Sequence, residues 1–486
     1  MGCSSACFIQ IRKYLRNVNI MTSLVLFKNN LRINDNDILF DACKDDKKIL
    51  PVYILDEKNT DKPLGSSSKY WLHKSLESLN NKLNNNLQVF KGDTIKIISS
   101  LLDLYSINQI YCEEPFLSMD ITLFDKLQNL CGLKNIDLNT RNCTLLWKPY
   151  HILKSDDTPY KVFTPFYNRG CLTSALPKKP VGKPSSINYY NCSNNTSIDQ
   201  LELLDNFPWH EKFENIWKID EDSGMHIFKD FINTKIDDYK LERDFPALNK
   251  NSKLSPYIRF GLISINRMWY ELDKLIPNKS IDHFKSELGW REFSYYLLYY
   301  FSFMETQNLQ TKFDNFNWEN SSEKFDAWKK GETGYPIVDA AMKELWETGY
   351  MHNRMRMVTA SFLVKNLLVD WRLGESWFWD CLLDADYASN IAGWQWTAGT
   401  GADAAPYFRI FNPILQGFKF DPNGDYVKQF IPELLNVPKK YIHNPWEMSE
   451  ENQKTFGCII GKNYPTPIID LKETRNRALS AFKTIN

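Results

Sequence analysis

Ser23–Phe27 (SLVLF) and Ile49–Leu55 (ILPVYIL) decide how the first third of the chain folds. Both are short, continuous apolar runs without polar alternation, the pattern of strands covered on both faces of a parallel sheet. Outward from them, Tyr70–Leu83 has helical spacing, Leu87–Phe90 (LQVF) reads as a strand, Ile95–Leu104 as a helix and Gln109–Cys112 (QIYC) as a strand. Strands alternating with helices predict a doubly wound, Rossmann-like α/β domain. No G-x-G-x-x-G follows the first strand, so the sheet either binds nothing or holds a ligand by other contacts.

The texture changes near Lys154. Pro, Asn, Ser and Lys cluster in Leu176–Ser197, which reads as a long surface connector. Beyond Gly224 the strand signals fade, and Ile281–Tyr300, Tyr335–Thr348, Asn353–Trp371 and Ser376–Leu383 carry helical periodicity. The expected organisation is α/β plus all-α. An N-terminal extension (1–20) precedes an α/β domain (21–150), a linker (151–222) and a helical domain (223–486). The opening MGCSSACFIQIRKYLRNVNI is basic and free of acidic residues. Gly2-Cys3 suggests lipidation, but Ala6 stands where myristoylation wants Ser or Thr. A targeting peptide or an upstream extension are the two readings, the second placing the folded start near Met21.

With 486 residues, two or three domains are expected. Basic and acidic residues both number 59, so any nucleic-acid contact must come from a local patch rather than a global field. Fifteen tryptophans suit stacking or electron transfer, and equally a large helical core. Ten cysteines form no CxxC pair, and seven histidines show no zinc-ligand spacing. Free thiols in a reducing, intracellular setting and no metal are expected. No apolar run reaches the ~18–20 residues that span a bilayer.

Asp384–Asn412 (DADYASNIAGWQWTAGTGADAAPYFRIFN) carries the densest chemistry. Asp384 and Asp386 are acceptors for cofactor N–H or ribityl groups, Asn390 is a neutral amide one turn on, and Trp394 and Trp396 are flat π-surfaces. The bland alternative is a buried helical hairpin with an aromatic core. Asn251–Ser255 (NSKLS), preceded by Arg243-Asp244-Phe245-Pro246, reads as a helix start offering a phosphate site, or simply a cap. Glu287, Trp290 and Arg291 share a helical face, either to bind and stack a base or as a surface salt-bridge helix. Met351–Met357 (MHNRMRM) is expected to put Asn353 and Met357 on one side, with Arg354 and Arg356 elsewhere. Arg356 is then poised to pair with an Asp of 384–386, and Arg354 to stay free for phosphate.

Glu287/Trp290, Asn353/Arg354/Met357, Asp384/Asp386/Asn390 and Trp396, in this order, resemble the photolyase/cryptochrome family. The resemblance runs from Leu24–Asp37 (LVLFKNNLRINDND) through Tyr160–Tyr167 (YKVFTPFY) to Tyr464–Leu479 (YPTPIIDLKETRNRAL), strongest over Gly334–Glu433. In detail it is closest to class I cyclobutane pyrimidine dimer photolyases. It implies an N-terminal antenna domain, a linker and a C-terminal helical FAD-binding domain. It also implies a monomeric deoxyribodipyrimidine photo-lyase that acts on damaged DNA, away from membranes, by light-driven electron transfer from reduced FAD. The alternative is a cryptochrome-type photoreceptor signalling to a protein partner. An NAD(P)H-dependent flavin oxidoreductase has no nicotinamide fingerprint to support it.

Position by position, the resemblance implies that Tyr239, Asn251, Ser252, Lys253, Leu254 and Ser255 grip the FAD phosphates and ribityl chain. Asn251 replaces the usual Thr and Lys253 the usual Arg, which removes a bidentate fork. Arg291, Asn353, Arg356, Asp384, Asp386 and Asn390 match the flavin pocket, Asn390 opposite flavin N5, where Asn favours repair over signalling. Glu287, Trp290, Asn353, Met357 and Trp396 match the pocket for a flipped-out dimer. Arg354, Arg409 and Lys419 match phosphate contacts. Trp394, Trp371 and Trp318 match an electron-carrying chain. Asn353-Arg354 is no His-His pair, which argues against (6-4) repair. Glu113-Glu114-Pro115-Phe116 does not decide between a folate, a deazaflavin or no second chromophore.

Overall fold

The structure, a computed structural model, describes residues 22–44, 47–60, 62–192, 197–205 and 207–485. The lipidation and targeting readings therefore fall outside the described residues. β1 (Thr22–Phe27), β2 (Lys48–Leu55), β3 (Gln88–Lys91), β4 (Ile107–Glu113) and β5 (Asp137–Arg141) form a parallel sheet in the order β3-β2-β1-β4-β5. Leu24, Val25, Ile49, Val52 and Ile110 are fully buried between the helices on its two faces, as the unbroken apolar runs require.

Two elements carried no apolar signal. β5 (DLNTR) is a polar edge strand, and helix Ser118–Lys134 buries only Leu127 and Cys131. The 151–222 segment is not all surface connector. Asn188–Tyr189 (β6) pairs with the start of β2, and Tyr160, Phe163, Phe166 and Tyr167 enter the core. Tyr167 comes so close to helix Lys279–Tyr300 that a Cβ on Gly289 would stand 2.6 Å from its ring.

The remaining chain is helical from Glu221 onward. The single helix expected over Asn353–Trp371 is instead Asn353–Ser361, a wider turn over Phe362–Asn366, and a new helix Trp371–Cys381. Leu368 adopts a positive φ of 53°, and the Asp370 side chain caps the new helix by accepting from Arg372 N at 2.9 Å. Helices Trp371–Cys381 and Tyr387–Ala398 then pack tightly, since a Cβ on Gly374 would lie 2.2 Å from the Trp394 ring. Among the described residues no helix is long and apolar enough to cross a membrane, no group of side chains has the makings of a metal site, and eight cysteines are free.

Candidate active site

A cavity of about 250 Å³ opens among the helices and gathers residues from four separate stretches. Tyr239 and Asn251–Ser255 form one side, Glu287 and Arg291 another, Asn353 and Arg356 a third, and Asp384, Asp386 and Ser389 the fourth. Ser255 opens a short helix, as the sequence predicts. Asn353 and Arg356, three residues apart on one helix, share the cavity wall. Met357, one turn beyond Asn353 on the same helix, is not among the residues lining the cavity.

The charges inside are ordered. Arg356 Nη2 donates to both carboxylate oxygens of Asp384, at 3.0 and 2.8 Å, while its Nε donates to Met351 O at 2.8 Å. Asp386 caps helix Tyr387–Ala398, accepting from Ser389 N at 2.8 Å and Tyr295 Oη at 2.7 Å. Burial works against its charge, yet Arg291, Arg259 and these hydrogen bonds hold its pKa below the ordinary carboxylate value. Arg291 donates to Thr144 O at 2.8 Å, tying the helical half to the end of the α/β half. Its neighbour Glu292, buried and accepting from Leu146 N and Trp147 N, is pushed up to about 7 by that burial.

Glu287 is paired with Arg243, whose Nη2 donates at 3.0 Å and whose Nη1 closes on the other oxygen. Arg243 Nη1 also meets His283 Nε2 at 3.0 Å. Burial drives His283 toward its neutral form. Arg354 is not free as expected. Its guanidinium pairs with Asp244 and lies 4.5 Å over Phe420. The reason is local: His352 caps the helix through Arg354 N and Asp244 lies within reach of the first turn. His352 itself is pushed down to about 4 by burial.

Trp394 and Trp396 are two residues apart and so point about 200° apart on the helix. Trp394 is buried against Phe378 (4.9 Å) and Trp328 (6.2 Å), while Trp396 is half-buried with no protein ring stacked on it among the described residues. Trp290 has one face covered by Phe163 at 3.8 Å and 12°, leaving the other face. Trp371 donates to Asn308 Oδ1 at 2.9 Å, and Trp318 meets Phe316 at 4.5 Å. Arg409 and Lys419 are exposed. Asn390 is held against Glu375 rather than lining the cavity.

Sequence reasoning missed Arg243, Arg259 and Tyr295. Arg243 stood inside the quoted Arg-Asp-Phe-Pro step, and Arg259 lies one helical turn beyond Ser255, donating to Ala385 O at 2.9 Å and Asn29 Oδ1 at 2.8 Å. A second, smaller cavity of about 80 Å³ sits where β1 and β4 end side by side, lined by Lys28, Asn29, Glu113 and Phe116. That is the point where the strand order of the sheet reverses.

The chain thus joins an α/β domain to a helical domain with a cation-rich cavity. Residues 284–484 match the FAD binding domain of DNA photolyase, and residues 23–185 match the DNA photolyase domain. The deoxyribodipyrimidine photo-lyase of Agrobacterium fabrum is 39% identical, over 95% of this chain and 98% of its own. Cryptochrome-2 of Arabidopsis thaliana is 32% identical over 95% of this chain and 78% of its own. The crystal structure of a class III photolyase from Agrobacterium tumefaciens superposes with a TM-score of 0.93 at 38% identity, covering 96% of this chain and 98% of that one. The chain belongs to the photolyase/cryptochrome family and carries its FAD-binding domain.

The cavity fits FAD chemically. Ser252, Lys253 and Ser255 offer donors suited to a pyrophosphate, and Arg356 with Asp384 and Arg291 with Asp386 present paired donors and acceptors suited to a flavin edge.

Proposed function

We propose that this protein is a light-driven photolyase that splits cyclobutane pyrimidine dimers in DNA. The observation that carries the reading is the placement of Glu287, held by Arg243, on the wall of the FAD cavity. Bound reduced FAD supplies the electron that opens the cyclobutane ring on illumination. The chain's own residues bind and orient. Glu287 accepts a hydrogen bond from the edge of a flipped-out base, with Arg243 keeping it aimed. Trp290 offers its uncovered face and Trp396 its unstacked ring, each worth about 1–3 kcal/mol per stacked base. Arg409 and Lys419 take phosphates, with Arg354 joining once Asp244 releases it, so affinity falls with salt.

The motifs resemble class I photolyases, while the solved neighbour from Agrobacterium tumefaciens is a class III photolyase. Repair of a defined thymine dimer in an oligonucleotide, in blue light against darkness, tests the reading. Light-dependent repair that is lost in Glu287→Ala and Trp290→Ala supports it. Flavin photoreduction without repair selects the cryptochrome alternative.

For a second chromophore, Trp346 and Trp377 offer a seat. Their planes are 2° from parallel with centroids 6.3 Å apart, so the rings must part a little to reach the ~7 Å that one intervening flat ring needs at ~3.5 Å contact on each side. Lys212 and Lys329 lie over the two indoles at 4.6 and 5.2 Å, as partners for an acidic tail. Loss of the antenna absorbance in Trp346→Ala, with FAD retained, is the expected result; retention of both sinks this assignment.

A further inference from the structure

The geometry points to Lys62, in the N-terminal half of the chain, as a positioning residue that acts through Glu375 to fix the orientation of the Asn390 amide. This rests on the photolyase reading above and on the family resemblance, which puts Asn390 opposite flavin N5; in the structure Asn390 stands one residue beyond Ser389 of the cavity wall.

Asn390 follows Ser389, which lines the cavity. Its Nδ2 donates to Glu375 O at 3.0 Å and to Glu375 Oε1 at 2.7 Å. Both partners are acceptors, so the NH₂ end must face Glu375 and the orientation follows from their chemistry. Oδ1 is thereby turned away from Glu375, and it accepts no hydrogen bond among the described residues.

Lys62 holds Glu375 in place as the acceptor. Its ammonium closes on both carboxylate oxygens, and the side chains are only 22% and 7% exposed. Without that clamp the carboxylate is free to swing off the Asn390 amide, and the amide can then turn over. Lys62 is itself fixed. Pro63 O accepts from Trp379 Nε1 at 2.7 Å, and the ammonium lies 5.0 Å over the Trp379 ring. The loop is pressed so tightly on helix Trp371–Cys381 that a Cβ on Gly65 would stand 2.1 Å from Trp379 O.

An amide oxygen facing flavin N5 accepts a hydrogen bond from N5–H, which reduced flavin carries and oxidised flavin lacks. A contact made in one state only shifts the equilibrium toward that state. Lys62 therefore biases bound FAD toward reduction from outside the cavity.

The test is the reduction midpoint of FAD in the purified holoprotein, with FAD content and thermal unfolding followed alongside. Lys62→Met is expected to lower the midpoint, Lys62→Arg to restore it, and Glu375→Gln to shift it in the same direction as Lys62→Met. In an Asn390→Leu background Lys62→Met is expected to add nothing. An equal shift in that background overturns the proposal, because Lys62 would then act as a bare charge. No shift from Lys62→Met or Glu375→Gln, while Asn390→Leu does shift the midpoint, also overturns it and leaves Lys62 a seam between domains. An unchanged midpoint in Asn390→Leu removes Asn390 from the ring, so the flavin-ring reading itself fails. Should Lys62→Met lose FAD, Glu375→Gln carries the test alone.

Discussion

Arg356 places one guanidinium nitrogen against both carboxylate oxygens of Asp384, at 3.0 and 2.8 Å, and a second nitrogen against the Met351 carbonyl. Asp384 is almost fully buried, so the pair cannot be opened without stranding a charge. Asp384→Asn is expected to cost about 3 kcal/mol of stability, the lower end for breaking a buried pair, and to reduce the FAD retained on purification. Arg356→Lys keeps the charge but loses the fork, and its loss of FAD should be smaller. Flavin-to-protein absorbance ratios and thermal unfolding of the two variants check the order.

Gly374 is where two helices touch. An added methyl would collide with the Trp394 ring at 2.2 Å and with Leu363 Cδ2 at 2.6 Å. Overpacking of this kind costs about 1–3 kcal/mol. Gly374→Ala should therefore unfold earlier and displace the indole. If Trp394 carries electrons to the flavin, photoreduction in this variant slows by more than its loss of FAD explains, as followed by flavin absorbance under blue light.

Legibility in the sequence followed burial on both faces. SLVLF and ILPVYIL declared themselves because each is covered above and below, whereas β5, polar and at the edge, had no apolar run to read. Asn353–Trp371 read as one helix because apolar spacing continues through the break. The wider turn over Phe362–Asn366 and the positive φ of Leu368 interrupt it, and neither stretch holds a Gly or Pro to give warning of that. Within the site, the residues of NSKLS and DAD were found from clustering and the family resemblance. Arg243 and Lys62 were not, because their partners Glu287 and Glu375 lie 44 and 313 positions away. No local pattern records such a pairing.

Glu292 makes stability depend on pH. It is 2% exposed, and burial pushes its pKa up to about 7 from 4.5. Between those values the folded chain holds a proton that the unfolded chain releases. Its contribution is therefore complete below pH 4.5 and is lost as pH rises through about 7, on the order of 3 kcal/mol. Glu292→Gln should flatten this part of the pH–stability profile while still accepting from Leu146 N. Unfolding midpoints at pH 5, 6, 7 and 8 for both proteins measure it, and parallel profiles would count against the assignment.

Lys365 runs the opposite way. It is 1% exposed and donates to Arg409 O at 3.0 Å, and burial pulls its pKa down to about 7 from 10.5. The unfolded chain keeps its proton across that window and the folded chain does not. Stability therefore rises with pH from about 7 toward 10.5 and is lost as pH falls through about 7. Methionine has similar length and no charge to desolvate, so Lys365→Met should stabilise the protein at pH 7 by on the order of 2 kcal/mol, despite the lost hydrogen bond. The advantage should shrink as pH is raised to 9, where the native lysine no longer resists being buried neutral. Denaturant unfolding of both proteins at pH 7 and pH 9 gives the two differences. An advantage at pH 9 as large as at pH 7, or larger, would mean that Lys365 is buried with its charge intact.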